Sequence, residues 1–142
     1  MVCEVGSVEV SALMQVESYA SVHQLVSTVR GRLRDDVSTV AALQALVPAG
    51  SMTGAPKLRT MQVIEEVEGT PRGAYAGAFG WISGDGPADL GVVIRSLMTD
   101  GSGTWTLGTG GGITVKSDVE DEWEESRWKA ERLLRTLHVT PG

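Results

Sequence analysis

The chain has 142 residues, of which 42% are hydrophobic and 21% are charged, and its formal net charge is -6. This length fits one domain, and no apolar run approaches the roughly 18 residues that cross a bilayer, which argues against a membrane-spanning helix. The 12 Lys and Arg residues are scattered along an acidic chain, which argues against a nucleic-acid surface. The single Cys3 excludes an intramolecular disulfide and favours a cytoplasmic location.

The N-terminal third predicts extended structure followed by a short helix. Apolar residues recur at about strand period in residues 2–16, which predicts one or two strands. The β-branched content of residues 22–33 favours another strand, although an amphipathic helix is the alternative. Ser38 or Thr39 can cap a helix that must stop before Pro48, because a residue preceding proline disfavours helical geometry.

The middle of the chain predicts a helix followed by a sheet. Pro56 suits the first turn of a helix, where a missing N–H costs little, and Gly69 suits its end. Three apolar stretches follow at residues 75–82, 90–98 and 105–115, and short Gly/Asp turns separate them. This pattern predicts a three-stranded antiparallel meander.

The last helix has the most distinct signals. Asp118 is a capping residue for residues 119–134, which are acidic in the first turns and basic later, as the helix dipole favours. With strands grouped between helices, the chain is predicted to be α+β, with antiparallel sheets and helices packed outside. Residues 1–142 are predicted to form a single domain.

Three charged residues on this last helix form a candidate metal site. Glu122, Glu125 and Lys129 fall at i, i+3 and i+7, so two carboxylates and an amine share one face. Magnesium is commonly held by one or two carboxylates, with water and an anionic substrate completing its shell. The alternative is an ordinary acidic surface helix with intrahelical charge pairs.

Three other segments are candidates for binding an anion. The run Gly108-Thr-Gly-Gly-Gly-Ile113 lets a ligand approach backbone N–H groups, although a bulged strand is equally consistent with it. Arg95 lies in an apolar predicted strand, where its planar guanidinium can grip a carboxylate or face outward. Gly50-Ser-Met-Thr-Gly-Ala-Pro-Lys57 precedes a helix N-terminus, but it lacks the Walker A spacing, which argues against nucleotide hydrolysis.

Taken together and in order, these motifs resemble the chorismate-binding enzyme family. The resemblance rests on five segments: Gly50-Ser-Met-Thr-Gly-Ala-Pro-Lys57, Tyr75-Ala-Gly-Ala-Phe-Gly80, Ile94-Arg95, Gly110-Gly-Gly-Ile113 and Glu122-x-x-Glu125-x-x-x-Lys129. It covers essentially the whole chain, as the C-terminal part of the family's catalytic domain. Within the family, the first and fourth segments are similar to the aminodeoxychorismate branch rather than to anthranilate synthases.

The resemblance implies a substrate, a metal and a partner. It implies that the carboxylates of chorismate are held by five positions, Tyr75, Arg95, Gly110, Gly111 and Gly112. It implies magnesium at Glu125 with Glu122 beside it, assistance from Lys129, and a place for Thr53 near the substrate. The implied reaction adds ammonia from a glutamine amidotransferase subunit or domain, forming 4-amino-4-deoxychorismate for para-aminobenzoate and folate biosynthesis.

Two departures from the family pattern bear on these expectations. Gln24 stands where many members carry a histidine assigned to acid/base work, and glutamine cannot exchange a proton near neutral pH. The family's catalytic subunits are also much longer, with an upstream substrate motif and a further metal ligand that are absent here. An anthranilate synthase fragment and a non-catalytic module therefore remain alternatives, and the isolated chain is expected to have weak activity or none.

Overall fold

A computed structural model describes residues 2–20 and 22–137. In chain order the elements are β1 Glu9–Tyr19, β2 Val22–Arg30, α1 Thr39–Leu46, α2 Gly50–Thr53, α3 Lys57–Glu68, β3 Ala78–Ile82, β4 Ala88–Val92, β5 Leu97–Thr99, β6 Trp105–Leu107 and α4 Val119–Thr136. The strands pair as antiparallel hairpins, β1 with β2, β3 with β4 and β5 with β6. The predicted α+β class with antiparallel sheets is confirmed.

The described chain divides into two compact units. The first unit comprises Met1–Ala45 and Gly84–Pro87, and the second comprises Leu46–Ser83 and Ala88–Gly142. The first unit is built on the β1–β2 hairpin, which confirms the strand interpretation for both N-terminal segments. No finding tests whether the whole chain is one domain, so this stays a prediction.

Helix α1 begins and ends where the local chemistry predicts. The Ser38 hydroxyl accepts a hydrogen bond from the backbone N–H of Ala41 at 3.2 Å, so Ser38 rather than Thr39 acts as the capping residue. Thr39 instead donates its hydroxyl to the carbonyl of Gly86 at 2.7 Å, within the same unit. The helix ends at Leu46, before the proline that cannot continue it.

The second unit opens with two helices where one was predicted. Residues 50–53 form the short helix α2, and Gly54 ends it with a φ of 88° that side chains rarely tolerate. Pro56 precedes α3 as its N-cap, so its predicted place in the first turn is wrong by one residue. Gly69 ends α3 in the left-handed conformation, as predicted, and its N–H bonds the carbonyl of Glu65 at 3.2 Å.

The predicted three-stranded meander is wrong. The apolar stretch 90–98 is divided between β4 and β5, and residues 93–96 between these strands are irregular. The N–H of Ile94 bonds the carbonyl of Val92 at 3.0 Å, and this tight turn ends β4. Strand β6 is only three residues long, so the glycine-rich run that follows it lies outside the sheet.

Helix α4 confirms the C-terminal prediction. Asp118 is its N-cap, and its first turn carries Glu120, Asp121 and Glu122, where the helix dipole favours negative charge. Arg135 occupies the last turn, where a positive charge is favoured. Within the described ranges, none of the helices is long and apolar enough to cross a membrane.

Removing the cap of α4 is expected to destabilise the chain measurably. The carboxylate of Asp118 accepts hydrogen bonds from the N–H groups of Glu120 at 3.0 Å and Asp121 at 3.2 Å. Asp118→Ala should therefore lower the free energy of unfolding by about 1 kcal/mol in urea denaturation followed by circular dichroism. Asp118→Asn keeps an acceptor and should lose much less; equal losses for both variants would contradict the capping role.

Few side chains of the described residues are buried. The buried apolar residues among those described are Ala42 in the first unit, at 5% exposure, and Ala76 in the second, at 4%. Large apolar side chains of the second unit are exposed instead, including Phe79 at 81%, Trp123 at 64% and Trp128 at 73%. A chain of this length ordinarily buries most of its large apolar side chains, so their exposure here favours further protein packed on them.

Candidate functional site

A cavity of about 360 Å³ lies within the second unit and is lined by all five predicted substrate-binding residues. It is lined by six predicted site residues, Tyr75, Arg95, Gly110, Gly111, Gly112 and Lys129. Its volume is in the range of small-molecule sites. Residues that lie far apart in sequence therefore meet around one space, which the fold of the second unit creates.

The glycine-rich segment approaches its neighbours more closely than side chains would allow. A Cβ added to Gly108 would lie 2.3 Å from Cγ of Tyr75, so the tyrosine ring packs directly on this backbone. A Cβ added to Gly111 would lie 2.8 Å from Oε2 of Glu122. The hydroxyl of Thr109 donates to the carbonyl of Ser126 at 2.8 Å, which fastens the segment to α4.

Adding one methyl group to this segment is expected to disturb it. Gly108→Ala forces either the ring of Tyr75 or the backbone to move, and overpacking of this kind costs about 1–3 kcal/mol. Urea denaturation measures this loss. Gly112→Ala is the matched control, because a Cβ there would meet nothing within 4 Å. A Gly108→Ala variant as stable as Gly112→Ala would contradict the observed packing.

Arg95 lies between β4 and β5, so its predicted place inside a strand is wrong. Its backbone has a φ of 50°, a left-handed conformation that non-glycine residues adopt at a cost of about 1–3 kcal/mol. The side chain is exposed and lines the cavity. The irregular backbone thus places Arg95 in the cavity lining, whereas a regular strand alternates its side chains across two faces.

The acidic residues of α4 stand beside the glycine-rich segment. Ser117 donates its hydroxyl to Oε1 of Glu122 at 2.6 Å. Oε1 of Glu125 lies 2.5 Å from Nζ of Lys129, which also donates to the carbonyl of Gly110 at 3.3 Å. Lys129 therefore links the acidic helix to the cavity wall.

These two carboxylates fit a magnesium ion only as part of its shell. Glu122 and Glu125 lie one helical turn apart, and their carboxylates offer the hard oxygen donors that Mg²⁺ prefers. Nowhere in residues 2–20 and 22–137 do three or more metal-binding side chains cluster. Water, substrate or other protein groups would supply the other ligands of a bound ion, and Glu125 would exchange its contact with Lys129 for the metal.

Like Glu122 and Glu125, Thr53 is a predicted site residue that does not line this cavity. It is 8% exposed, and its hydroxyl donates to the carbonyls of Ala49 at 3.3 Å and Gly54 at 3.5 Å. Thr53 lines a second, larger cavity of about 820 Å³ in the same unit. Its role near the substrate stays a prediction.

Sequence reasoning missed an ion pair that lies in the wall of the cavity. Arg72 donates Nε to Oε2 of Glu68 at 2.8 Å and Nη2 to Oε1 at 2.5 Å. The hydrogen bonds from Arg72 lower the pKa of Glu68 below its ordinary 4.5. The pair therefore stabilises the fold above about pH 4.5, and this contribution is lost as pH falls through the lowered pKa. The i,i+4 spacing of Glu68 and Arg72 is typical of an ion pair within a helix. Gly69 ends the helix between the two residues, however, so the spacing alone did not predict the pair.

Comparison with known proteins adds to this geometry. A family model described as chorismate binding enzyme matches residues 1–135. The chain is 55% identical over 140 residues to an aminodeoxychorismate synthase of Streptomyces griseus, covering 98% of this chain and 19% of that protein. It is 44% identical over 138 residues to an anthranilate synthase component 1 of Methanothermobacter marburgensis, covering 97% of this chain and 30% of that protein.

A solved structure has the same fold over most of this chain. The crystal structure of anthranilate synthase component I from Streptococcus pneumoniae superposes with a TM-score of 0.78 at 36% identity. The match covers 93% of this chain and 30% of that protein. The chain thus spans about a fifth of the length of the first of these three proteins and less than a third of the other two.

Proposed function

Because this chain belongs to the chorismate-binding enzyme family, we propose that it forms one side of an active site that converts chorismate to 4-amino-4-deoxychorismate. The observation that carries the proposal is the single cavity shared by Tyr75, Arg95, the three glycines 110–112 and Lys129. The identity to an aminodeoxychorismate synthase favours this product over anthranilate. Gln24, which cannot act as an acid or base, agrees with that preference.

The proposed substrate is a dicarboxylate, and the cavity offers the donors that carboxylates require. Arg95 contributes a planar guanidinium that can bond two oxygens at once. Gly110, Gly111 and Gly112 line the cavity and have no Cβ, so a ligand in the cavity can approach their backbone closely. Tyr75 adds a phenolic hydroxyl near this segment, where a Cβ on Gly110 would lie 3.4 Å from its oxygen.

We propose that Glu125 and Glu122 hold magnesium beside this cavity. Bound Mg²⁺ would supply positive charge to a substrate carboxylate and assist loss of the ring hydroxyl. Lys129 contacts both Glu125 and the carbonyl of Gly110, so its ammonium can offset the negative charge that substrate and carboxylates bring together. We also propose that Thr53, the last residue of α2, lies near the bound substrate.

Ammonia would form the new carbon–nitrogen bond as the ring hydroxyl leaves as water, and the enolpyruvyl group would be retained. We propose that a glutamine amidotransferase subunit or domain releases this ammonia. The rest of the catalytic domain would pack on the second unit, where the exposure of Phe79, Trp123 and Trp128 supports further contacts. A cytoplasmic location belongs to the same proposal, supported by the lone Cys3.

Calorimetric titration of chorismate into this chain, with and without magnesium, tests the proposed site. We expect binding that magnesium strengthens, and we expect little or no turnover when ammonia is added. Absence of magnesium-dependent binding would favour a non-catalytic module. Full turnover by the isolated chain would contradict its role as one side of the site only.

Product identification tests the branch of the family. The chain joined to the remainder of a catalytic subunit is incubated with chorismate, magnesium and ammonia, and the products are separated by chromatography. We expect 4-amino-4-deoxychorismate, with the enolpyruvyl group still attached. Anthranilate and free pyruvate would instead assign the chain to the anthranilate synthase branch.

A further inference from the structure

The ion pair of Glu68 and Arg72 is joined to two parts of the substrate cavity. Besides its two bonds to Glu68, Arg72 donates Nη1 to the carbonyl of Met52 at 3.0 Å, which fastens the short helix α2. Its guanidinium carbon lies 5.8 Å from the centroid of the Tyr75 ring, within cation–π range. All three guanidinium nitrogens therefore donate to protein groups, which suits a structural role better than direct ligand binding.

The ring of Tyr75 lies close to both Arg72 and the glycine-rich segment. The ring packs on Gly108 so closely that a Cβ there would be 2.3 Å from it, and its hydroxyl lies near Gly110. A displaced ring would open the space beside Gly108 and move the hydroxyl away from the proposed carboxylate site. Interior packing conveys such shifts because it leaves little free volume.

The same three side chains also separate the two cavities of the second unit. Glu68, Arg72 and Tyr75 line the cavity of about 360 Å³ as well as the one of about 820 Å³. The side chain of Arg72 is 25% exposed and that of Glu68 is 38% exposed, so the pair is partly shielded from water. Both carboxylate oxygens of Glu68 accept from Arg72, and this bidentate geometry fixes the guanidinium plane.

We propose that Arg72, oriented by Glu68, is a positioning residue that fixes Tyr75 against the glycine-rich segment and thereby sets the affinity of the cavity for the substrate carboxylates. This inference rests on the proposed function for its ligand. Lysine at position 72 keeps the charge but lacks the planar fork, so it cannot hold Glu68, Met52 and Tyr75 together.

Fluorine NMR and calorimetry together test the inference in the full chain. The chain contains two tyrosines, Tyr19 and Tyr75, so 3-fluorotyrosine labelling gives two ¹⁹F resonances that Tyr19→Phe assigns. Arg72→Lys is expected to shift the Tyr75 resonance and to weaken chorismate binding about five- to tenfold in the presence of magnesium. Glu68→Gln should shift the same resonance and weaken binding by a smaller factor.

Arg59→Lys and Glu66→Gln are the matched controls, because this pair lies on α3, the helix that carries Glu68, but is exposed, with 3.7 Å between Nη1 and Oε1. Both controls should leave the resonance and the affinity unchanged. An unmoved Tyr75 resonance, or unchanged affinity, in Arg72→Lys overturns the inference. If the unchanged chain does not bind chorismate, the proposed function fails, while the resonance still reports whether Arg72 holds the ring.

Discussion

Replacing Arg95 by alanine is expected to weaken magnesium-dependent chorismate binding by about 10- to 100-fold. Hydrogen bonds to charged groups contribute about 1.5–3 kcal/mol each, which corresponds to this range of affinity. The lower end applies if Arg95 stays as exposed in the complex as it is here. Calorimetric titration of the variant and the unchanged chain measures the difference.

Two controls separate the role of Arg95 from the loss of a charge. Arg95→Lys keeps the charge but loses the bidentate geometry, so its affinity should fall between those of alanine and arginine. Arg59→Ala removes an exposed guanidinium that lines neither cavity and should bind chorismate normally. Equal affinities for Arg95→Ala and the unchanged chain would remove Arg95 from the proposed carboxylate site.

The strained backbone of Arg95 makes a second readout possible. Arg95→Ala keeps the backbone strain, because alanine is also strained at a φ of 50°. Arg95→Gly is expected to recover about 1 kcal/mol of stability relative to Arg95→Ala. Both variants should therefore lose chorismate affinity to a similar extent, whereas Arg95→Gly should be the more stable of the two.

The elements that the sequence predicted are those whose boundary signals lie within a few residues. Asp118 caps α4 through adjacent N–H groups, and Gly69 ends α3 through a local left-handed turn. The division of the apolar stretch 90–98 has a different origin. There the N–H of Ala76 bonds the carbonyl of Val93 at 2.9 Å, a contact between segments distant in sequence that periodicity does not encode.

The candidate site was predictable to a similar extent. Motif order identified Arg95, the glycines and Lys129, and the fold brings them to one cavity. Arg72 escaped notice because the helix end at Gly69 lies between it and Glu68, and helical spacing does not predict contacts across such an end. The family resemblance also implied a place for Thr53 near the substrate, and Thr53 lines the second cavity.

Replacing Glu125 by glutamine is expected to remove the magnesium dependence of chorismate binding. Glutamine keeps the size of the side chain but loses the negative charge that a hard cation requires. Metal affinity should fall about tenfold or more, because mutating even a residue that only hydrogen-bonds to a metal ligand commonly lowers the affinity by that factor. Titrating chorismate into Glu125→Gln with and without magnesium measures this loss.

Glu124→Gln is a stringent control because it makes the same chemical change at the preceding residue of α4. Glu124 pairs with Arg127 at 3.5 Å, whereas Glu125 pairs with Lys129 beside the cavity. Glu125→Gln also releases the ammonium of Lys129, so binding without magnesium should stay equal or become tighter. Loss of affinity without magnesium would indicate a structural role for Glu125, whereas selective loss of the magnesium effect assigns this carboxylate to the metal.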